Sequence, residues 1–420
     1  MTFPPTGGAA GLGTPLAMRS GPPLPNRLLK SALSEGLAEP GGAPGTRLTT
    51  LYRRWGDGGY GLLITGNVMV DRRHMSEPGQ VIVEDDRHLA ALTRWAGSYH
   101  ERGGPIWVQL NHPGRQANRR AGRHRPVAPS EITARVPGAA KPRALTDPEI
   151  REIISRFATA AAVAEAAGFD GAQIHGAHGY LVTQFLSPRT NRRDDAWGGD
   201  PERRRAFVVE IVRAVRASVG PGFRVGIKLN SADFQRGGFS EQESREVVGA
   251  LVGEGIDLIE ISGGSYEAPA MMGVQAESTR AREAYFLDYA RTVREIAGQV
   301  PIAVTGGFRS RPAMDRALAD HDCDIIGIGR PACLTPDAPR ALLERGRQRL
   351  HAPTIQVGAR GLIGRLTDLR SVDSALNLLW YADQLHRIAA GLDPDPTRPW
   401  WRTLNSVIRT GPGALRPKRN

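Results

Sequence analysis

Phe169-Asp170-Gly171-Ala172-Gln173-Ile174-His175-Gly176-Ala177-His178-Gly179-Tyr180-Leu181 follows a helical pattern over 147–168 and breaks its period within a few residues. The segment 169–175 reads as a short, mostly apolar strand of the kind a parallel sheet buries. Side chains at i and i+3 of a continuing strand face opposite ways. Gly176 and Gly179 let the chain bend, so the imidazoles of His175 and His178 and the phenol of Tyr180 can meet at one point. Two N–H donors aimed at one oxygen, with a proton donor beside them, suit a carbonyl that gains negative charge during a reaction. Zinc fits this pattern poorly. It wants three or four ligands, its helical signature spaces histidines at i, i+4 around a Glu, and no Cys, Asp or Glu completes a set here. No metal is expected.

Working outward, the chain keeps alternating between short apolar runs and longer stretches of helical period. Strands are expected at 27–32, 61–69, 105–111, 169–175, 224–230, 257–263, 301–307 and 324–330. Helices are expected at 48–56, 86–103, 147–168, 201–218, 240–255, 282–298, 311–319 and 336–347. Ser240 with Glu243 is a capping-box pattern, and Pro148 suits a first helical turn behind a cap at Thr146 or Asp147. Eight strands, each followed by a helix, predict an α/β fold of the (β/α)8 TIM-barrel type. Two long insertions, 112–144 and 264–281, leave the C-terminal ends of strands three and six, where barrel enzymes build their sites.

Residues 1–22 read as a flexible N-terminal lead, 23–350 as the barrel, and 351–420 as an extension with a helix at 374–390. That extension is expected to pack on the barrel or on a partner subunit, which makes a homo-oligomer one option. Hydrophobic content of 40% and charged content of 23% are those of an ordinary globular protein. No apolar run is long enough for a membrane span, and the N-terminus lacks a secretory pattern, so a cytoplasmic location is the default expectation. Two cysteines, Cys323 and Cys333, hold neither a disulfide framework nor a four-cysteine cluster. The net charge of +12 comes largely from Arg, with a local group at Arg115, Arg119, Arg120, Arg123 and Arg125. No aromatics interleave with that group and no nucleic-acid motif accompanies it, so a small-molecule substrate is expected rather than nucleic acid.

Strand seven ends in Val304-Thr305-Gly306-Gly307-Phe308, and strand eight in Ile326-Gly327-Ile328-Gly329-Arg330-Pro331. The loops after these strands often form a phosphate site in barrels. Glycines bring backbone N–H groups close to an anion, and Arg330 adds a bidentate cation. The glycines near the N-terminus follow no strand and open no helix, so they fail as a dinucleotide fingerprint. A mononucleotide such as FMN suits the chain better than FAD.

At this point the residues match a known pattern. Asn26-Arg27-Leu28, Trp107-Val108-Gln109-Leu110-Asn111-His112-Pro113-Gly114-Arg115, His175 through Leu181 with its continuation to Gly198-Gly199, Gly306-Gly307 and Ile328-Gly329-Arg330 stand in order. In these blocks the chain resembles the old yellow enzyme family of FMN-dependent NAD(P)H oxidoreductases (ene-reductases). The resemblance implies FMN across the C-terminal mouth of the barrel. It implies Ser31, Ala32 and Leu33 along the isoalloxazine, Gly66 and Gln109 at its edge, and Lys228 beside N1 and O2. Gly306, Gly307, Gly329 and Arg330 would hold the phosphate. His175 and His178 would grip a substrate carbonyl while Tyr180 supplies a proton. The implied activity is ping-pong: NADPH or NADH reduces the flavin, which then reduces an electron-poor alkene such as an enone. The arginines from 119 to 125 lean toward the 2′-phosphate of NADPH by charge alone.

The chain departs from the family pattern in places. Ser34 stands where relatives keep a Thr or Cys that hydrogen-bonds the flavin O4. Lys30 and Glu35 are unusual, as is Trp197 where a Tyr is common. Missing cluster cysteines argue against the two-domain dienoyl-CoA reductase architecture of some relatives. Two alternatives remain open from the sequence. One is a flavin barrel acting on RNA, as dihydrouridine synthases do, although that needs a catalytic Cys in a mid-barrel loop. The other is a phosphate-ligand-binding barrel that senses rather than catalyses.

Overall fold

The computed structural model describes residues 11–135, 139–264, 283–355 and 369–403. The expected long loop at 264–281 lies outside these residues apart from Gly264. Eight parallel strands form the barrel: β1 Leu28–Lys30, β2 Leu62–Met69, β3 Ile106–Asn111, β4 Gly171–Gly176, β5 Arg224–Asn230, β6 Leu258–Ser262, β7 Ile302–Thr305 and β8 Ile325–Ile328. Each pairs with its sequence neighbour, and β1 pairs with both β8 and β2, which closes the ring. Helices α1 Thr46–Gly56, α2 Leu89–His100, α3 Asp147–Ala166, α4 Pro201–Ser218, α5 Glu241–Gly253, α6 Leu287–Ala297, α7 Arg311–Ala319 and α8 Ala338–Leu343 follow the strands in turn. The chain is therefore the expected (β/α)8 barrel. Its strands are short runs of Val, Ile and Leu sealed on both faces, because side chains fill the interior and helices cover the outside.

Local chemistry explains the junctions. Thr146 starts α3, with its N–H and hydroxyl donating to the Glu149 carboxylate at 2.8 and 2.9 Å. Gly168 ends it at φ +88°, where the Gly168 N–H reaches Glu165 O and the Phe169 N–H reaches Ala164 O. That reversal satisfies the last carbonyls and aims the chain into β4. In β2 the register slips between Ile64 and Asn67, a bulge at Thr65–Gly66 that re-aims the strand's C-terminal end.

The N-terminal lead is not loose where it is described. Leu16 bridges Leu24, and Met18 and Leu24 pack with Leu29, Leu62, Ile64, Trp107 and Leu258 in the barrel's N-terminal end. This apolar plug shields side chains that the ring alone leaves open to water. Beyond the barrel, α9 Leu369–Ala389 lies on α1 and on the turn Arg330–Cys333, with Trp380, Leu385 and Ile388 buried. Its His386 ring bonds Glu35 O at 2.8 Å. Among the described residues no helix is long and apolar enough to cross a membrane.

Candidate active site

Parallel register decides which side chains meet at the barrel mouth. Gln109 of β3 stands beside Gln173 of β4, His175 of β4 beside Lys228 of β5, and Lys228 beside Glu260 of β6. Glu260 is fully buried. Its Oε1 lies 3.0 Å from Lys228 Nζ and accepts from the Ser31 and Thr305 hydroxyls at 2.8 and 2.6 Å. Its Oε2 accepts from Gln173 Nε2 at 2.6 Å, and Gln173 Oε1 accepts from Gln109 Nε2 at 2.7 Å. Burial penalises the Glu260 charge, but the Lys228 ammonium, then Thr305 and Gln173, hold the carboxyl below its ordinary range. Gly327 leaves room for this cluster, since a Cβ there would overlap Thr305 Oγ1.

Above this floor the two histidines and the tyrosine come together as the sequence predicts. The His175 ring lies 5.0 Å from that of His178 and 4.9 Å from that of Tyr180, edge to face in both cases. The Ala177 N–H donates to His175 Nδ1 at 3.2 Å, which assigns the ring proton to Nε2. His178 bonds Ser262 Oγ through Nε2 at 2.9 Å. Its backbone adopts φ +62°, a strained value for a side-chain-bearing residue. Asn230 Oδ1 accepts from the His178 N–H, and Gln116 donates to the His178 carbonyl, so contacts on both sides hold that geometry. Burial, then the charge of Lys228, pushes His178 down to about 3. Burial, His178 and Lys228 hold His175 well below the usual imidazole range. Both rings are neutral at physiological pH. Tyr180 is buried at the start of the short helix Leu181–Leu186, whose first N–H is tied to His112 O.

The flavin-facing residues named from the resemblance are placed less uniformly. Gly66 sits on the β2 bulge, donates to Tyr52 Oη at 3.0 Å, and has no space for a Cβ beside Leu33 O and Glu35. Ser31 turns to Glu260, whereas Ala32 and Leu33 pack on apolar clusters. Ser34 lies beside Glu77 and offsets part of the rise that burial imposes on that carboxyl. The unusual Lys30 and Glu35 prove to be partners, 3.4 Å apart, with Lys30 Nζ 3.9 Å over the Trp55 ring and Tyr52 donating to Glu35. Trp197 donates to Asp147 at 2.6 Å, a task a shorter Tyr would meet differently.

At the turns where the sequence predicts a phosphate, Gly306 and Gly307 take φ values of +144° and +89°, with Tyr285 and Phe286 packed against them. Gly329 faces open space. Arg330 lies 5.8 Å from the Tyr381 ring centre, and no carboxylate pairs with it among the described residues. The residues fit a mononucleotide in three respects: an anchored cation at the mouth, open space at Gly329, and, among the described residues, an Arg without a counter-ion at the strand-eight turn.

Sequence reading missed Glu260, Gln173, Thr305, Ser262 and Asn230. The available signal was polar residues at buried positions of otherwise apolar strands, Gln173 and Glu260 above all. It also missed a buried group, Asp71, His74 and His112, whose ligand atoms lie within 4.8 Å of one another. Gly114 N–H donates to His112 Nδ1, which leaves the proton on Nε2, 3.8 Å from Asp71. That ring is set to donate rather than to ligate a metal. A cavity of about 310 Å³ opens next to Gly179, lined in part by Arg115, Arg135, Arg189 and Arg192. Arg115 leaves the expected basic cluster: it is buried and reaches Ile132 O and Thr133 O.

Residues 12–349 match the family described as NADH:flavin oxidoreductase / NADH oxidase. The chain is 40% identical over 353 residues to the NADH-dependent flavin oxidoreductase iliE of Hypocrea jecorina (strain QM6a), covering 78% of this chain and 88% of that one. It is 33% identical over 325 residues to the NADH oxidase of Thermoanaerobacter brockii, covering 77% of this chain and 49% of the relative. Among solved structures it superimposes on morphinone reductase with a TM-score of 0.69 at 25% identity, covering 83% of this chain and 93% of that one.

Proposed function

Because the chain belongs to the NADH:flavin oxidoreductase / NADH oxidase family, the family of the old yellow enzymes, we propose that it reduces activated alkenes with hydride taken from NADH through FMN in a ping-pong cycle. FMN is the family's cofactor and, when bound, accepts and delivers hydride. Lys228, Gln109 and Gly66 would hold its ring system, with Gly306, Gly307, Gly329 and Arg330 at its phosphate. NADH is the reductant favoured here because the relatives are named as NADH-dependent.

One observation carries the alkene reading: a neutral His175 whose Nε2 bears the proton, with His178 and Tyr180 against it. As hydride reaches the β-carbon of an enone, negative charge collects on its oxygen. A neutral N–H donor in a dry site stabilises that charge by about 3–4 kcal/mol. Burial and Lys228 keep both imidazoles unprotonated, so they donate hydrogen bonds rather than protons. The proton for the α-carbon then falls to Tyr180.

Anaerobic stopped-flow tests this directly. NADH should bleach the yellow protein, and 2-cyclohexenone or a related enone should restore the colour. A protein that NADH reduces but only oxygen reoxidises would remove the alkene from the proposal. RNA chemistry finds no support: Cys323 and Cys333 are both buried, and burial pushes the Cys333 thiol up to about 12 and the Cys323 thiol further.

A further inference from the structure

Among the described residues, Glu260 is the one carboxylate at the centre of the barrel mouth with no task in the reaction as proposed. Its neighbours can all donate to it, and Lys228 can do nothing else. Lys228, Ser31 and Thr305 reach Oε1, and Gln173 reaches Oε2. A protonated Glu260 would bring an O–H into a ring of groups that have protons to give. An ionised one accepts from them and pairs with the Lys228 ammonium 3.0 Å away, so that cation favours the carboxylate.

That choice passes along the side chains. A carboxylate only accepts, so Gln173 must turn its NH2 toward Glu260 and its carbonyl toward Gln109. Gln109 must then turn its NH2 inward, which leaves its Oε1 without a hydrogen bond among the described residues. The order of donors and acceptors from Glu260 to Gln109 follows from one charge. The same charge lies 3.0 Å from Lys228, the cation available to a reduced flavin.

We propose that Glu260 is a positioning residue that sets the flavin's reduction potential, by partly neutralising Lys228 and by fixing, through Gln173, which face of the Gln109 amide meets the cofactor. This rests on the FMN reading above. A buried anion beside Lys228 weakens the attraction that cation offers to a negatively charged reduced flavin. The bound flavin is thereby kept a stronger reductant than Lys228 alone would make it.

The test compares wild type with Glu260→Gln, which keeps shape but removes charge and can present its amide either way round. A second variant, Gln173→Leu, cuts the relay and leaves the ion pair. Dissociation constants for oxidised and reduced FMN, the two-electron midpoint potential and the apoprotein melting temperature are measured for each. Glu260→Gln should favour reduced over oxidised FMN at least tenfold more than wild type does, an upward shift of about 30 mV or more. Gln173→Leu should bind oxidised FMN about tenfold more weakly, the value of one oriented hydrogen bond, with a smaller change in potential. If Glu260→Gln does not fold, Glu260→Asp draws the charge back by one methylene and should raise the potential less. A folded, yellow Glu260 variant with an unchanged potential, together with unchanged FMN affinity in Gln173→Leu, overturns the inference. Wild-type protein that binds no FMN would instead overturn the functional reading on which it rests.

Discussion

Lys228 Nζ and Glu260 Oε1 stand 3.0 Å apart on neighbouring strands, both sealed from water at the point where the barrel opens. Removing only one partner strands the other charge in a low-dielectric site, a loss of about 3–5 kcal/mol. Lys228→Met should therefore melt well below wild type. The double variant Lys228→Met/Glu260→Gln should regain most of that loss in a double-mutant cycle by chemical denaturation. Additive losses would show that the two charges do not depend on each other.

Tyr180→Phe should leave reduction by NADH within a fewfold of wild type and slow enone-driven reoxidation by about 10²–10⁴, the range for a positioned acid. The ring stays against His175, so folding should be unaffected. His175→Ala should slow the same half-reaction by about 10²–10³. Rapid-mixing experiments separate the halves, and equal losses in both would contradict the roles assigned.

Acid should unfold this protein through its buried neutral histidines. Burial pushes His112 down to about 4 and His178 to about 3. An unfolded imidazole titrates near 6.5, so between about 6.5 and 4 the unfolded chain binds protons that the native state refuses. Stability is then complete above that window and is lost as pH falls through it. His112 alone should cost about 2 kcal/mol by pH 5. Denaturation curves from pH 7 to 4.5 check this, and a His112→Asn variant should show a shallower decline.

Tyr381 brings the C-terminal helix to the proposed phosphate end of the site by lying under Arg330. Tyr381→Leu should weaken FMN binding about fivefold, from the roughly 1 kcal/mol of a partly exposed cation–π contact. Riboflavin, which lacks the phosphate, should bind the variant and the wild type alike. A parallel loss for both ligands, read by fluorescence titration, would separate Tyr381 from Arg330.

Gly327→Ala should be among the more damaging single-methyl additions, because the new Cβ would overlap Thr305 Oγ1 and crowd Ser31. Overpacking of this kind typically costs about 1–3 kcal/mol. The change should appear as a lower melting temperature together with weaker FMN binding, since the displaced hydroxyls serve Glu260.

Much of this molecule is written locally. The eight apolar runs, the glycine reversal before Phe169 and the helix caps determine a closed barrel, because each depends on residues only a few positions apart. His175, His178 and Tyr180 were legible for the same reason: they share one turn of chain. What lies under them was not. Glu260, Gln173 and Thr305 sit on three strands and Ser31 just past the end of a fourth, all far apart in sequence, and closure of the parallel ring brings them to one point. The pairing of Lys30 with Glu35 over Trp55, the plug made by Met18 and Leu24, and the reach of Tyr381 to Arg330 are likewise settled only when the ring closes. A sequence specifies which side chains can donate, accept or carry charge. Burial decides which of them must find each other, since an unpaired polar group costs far more inside the barrel than in water.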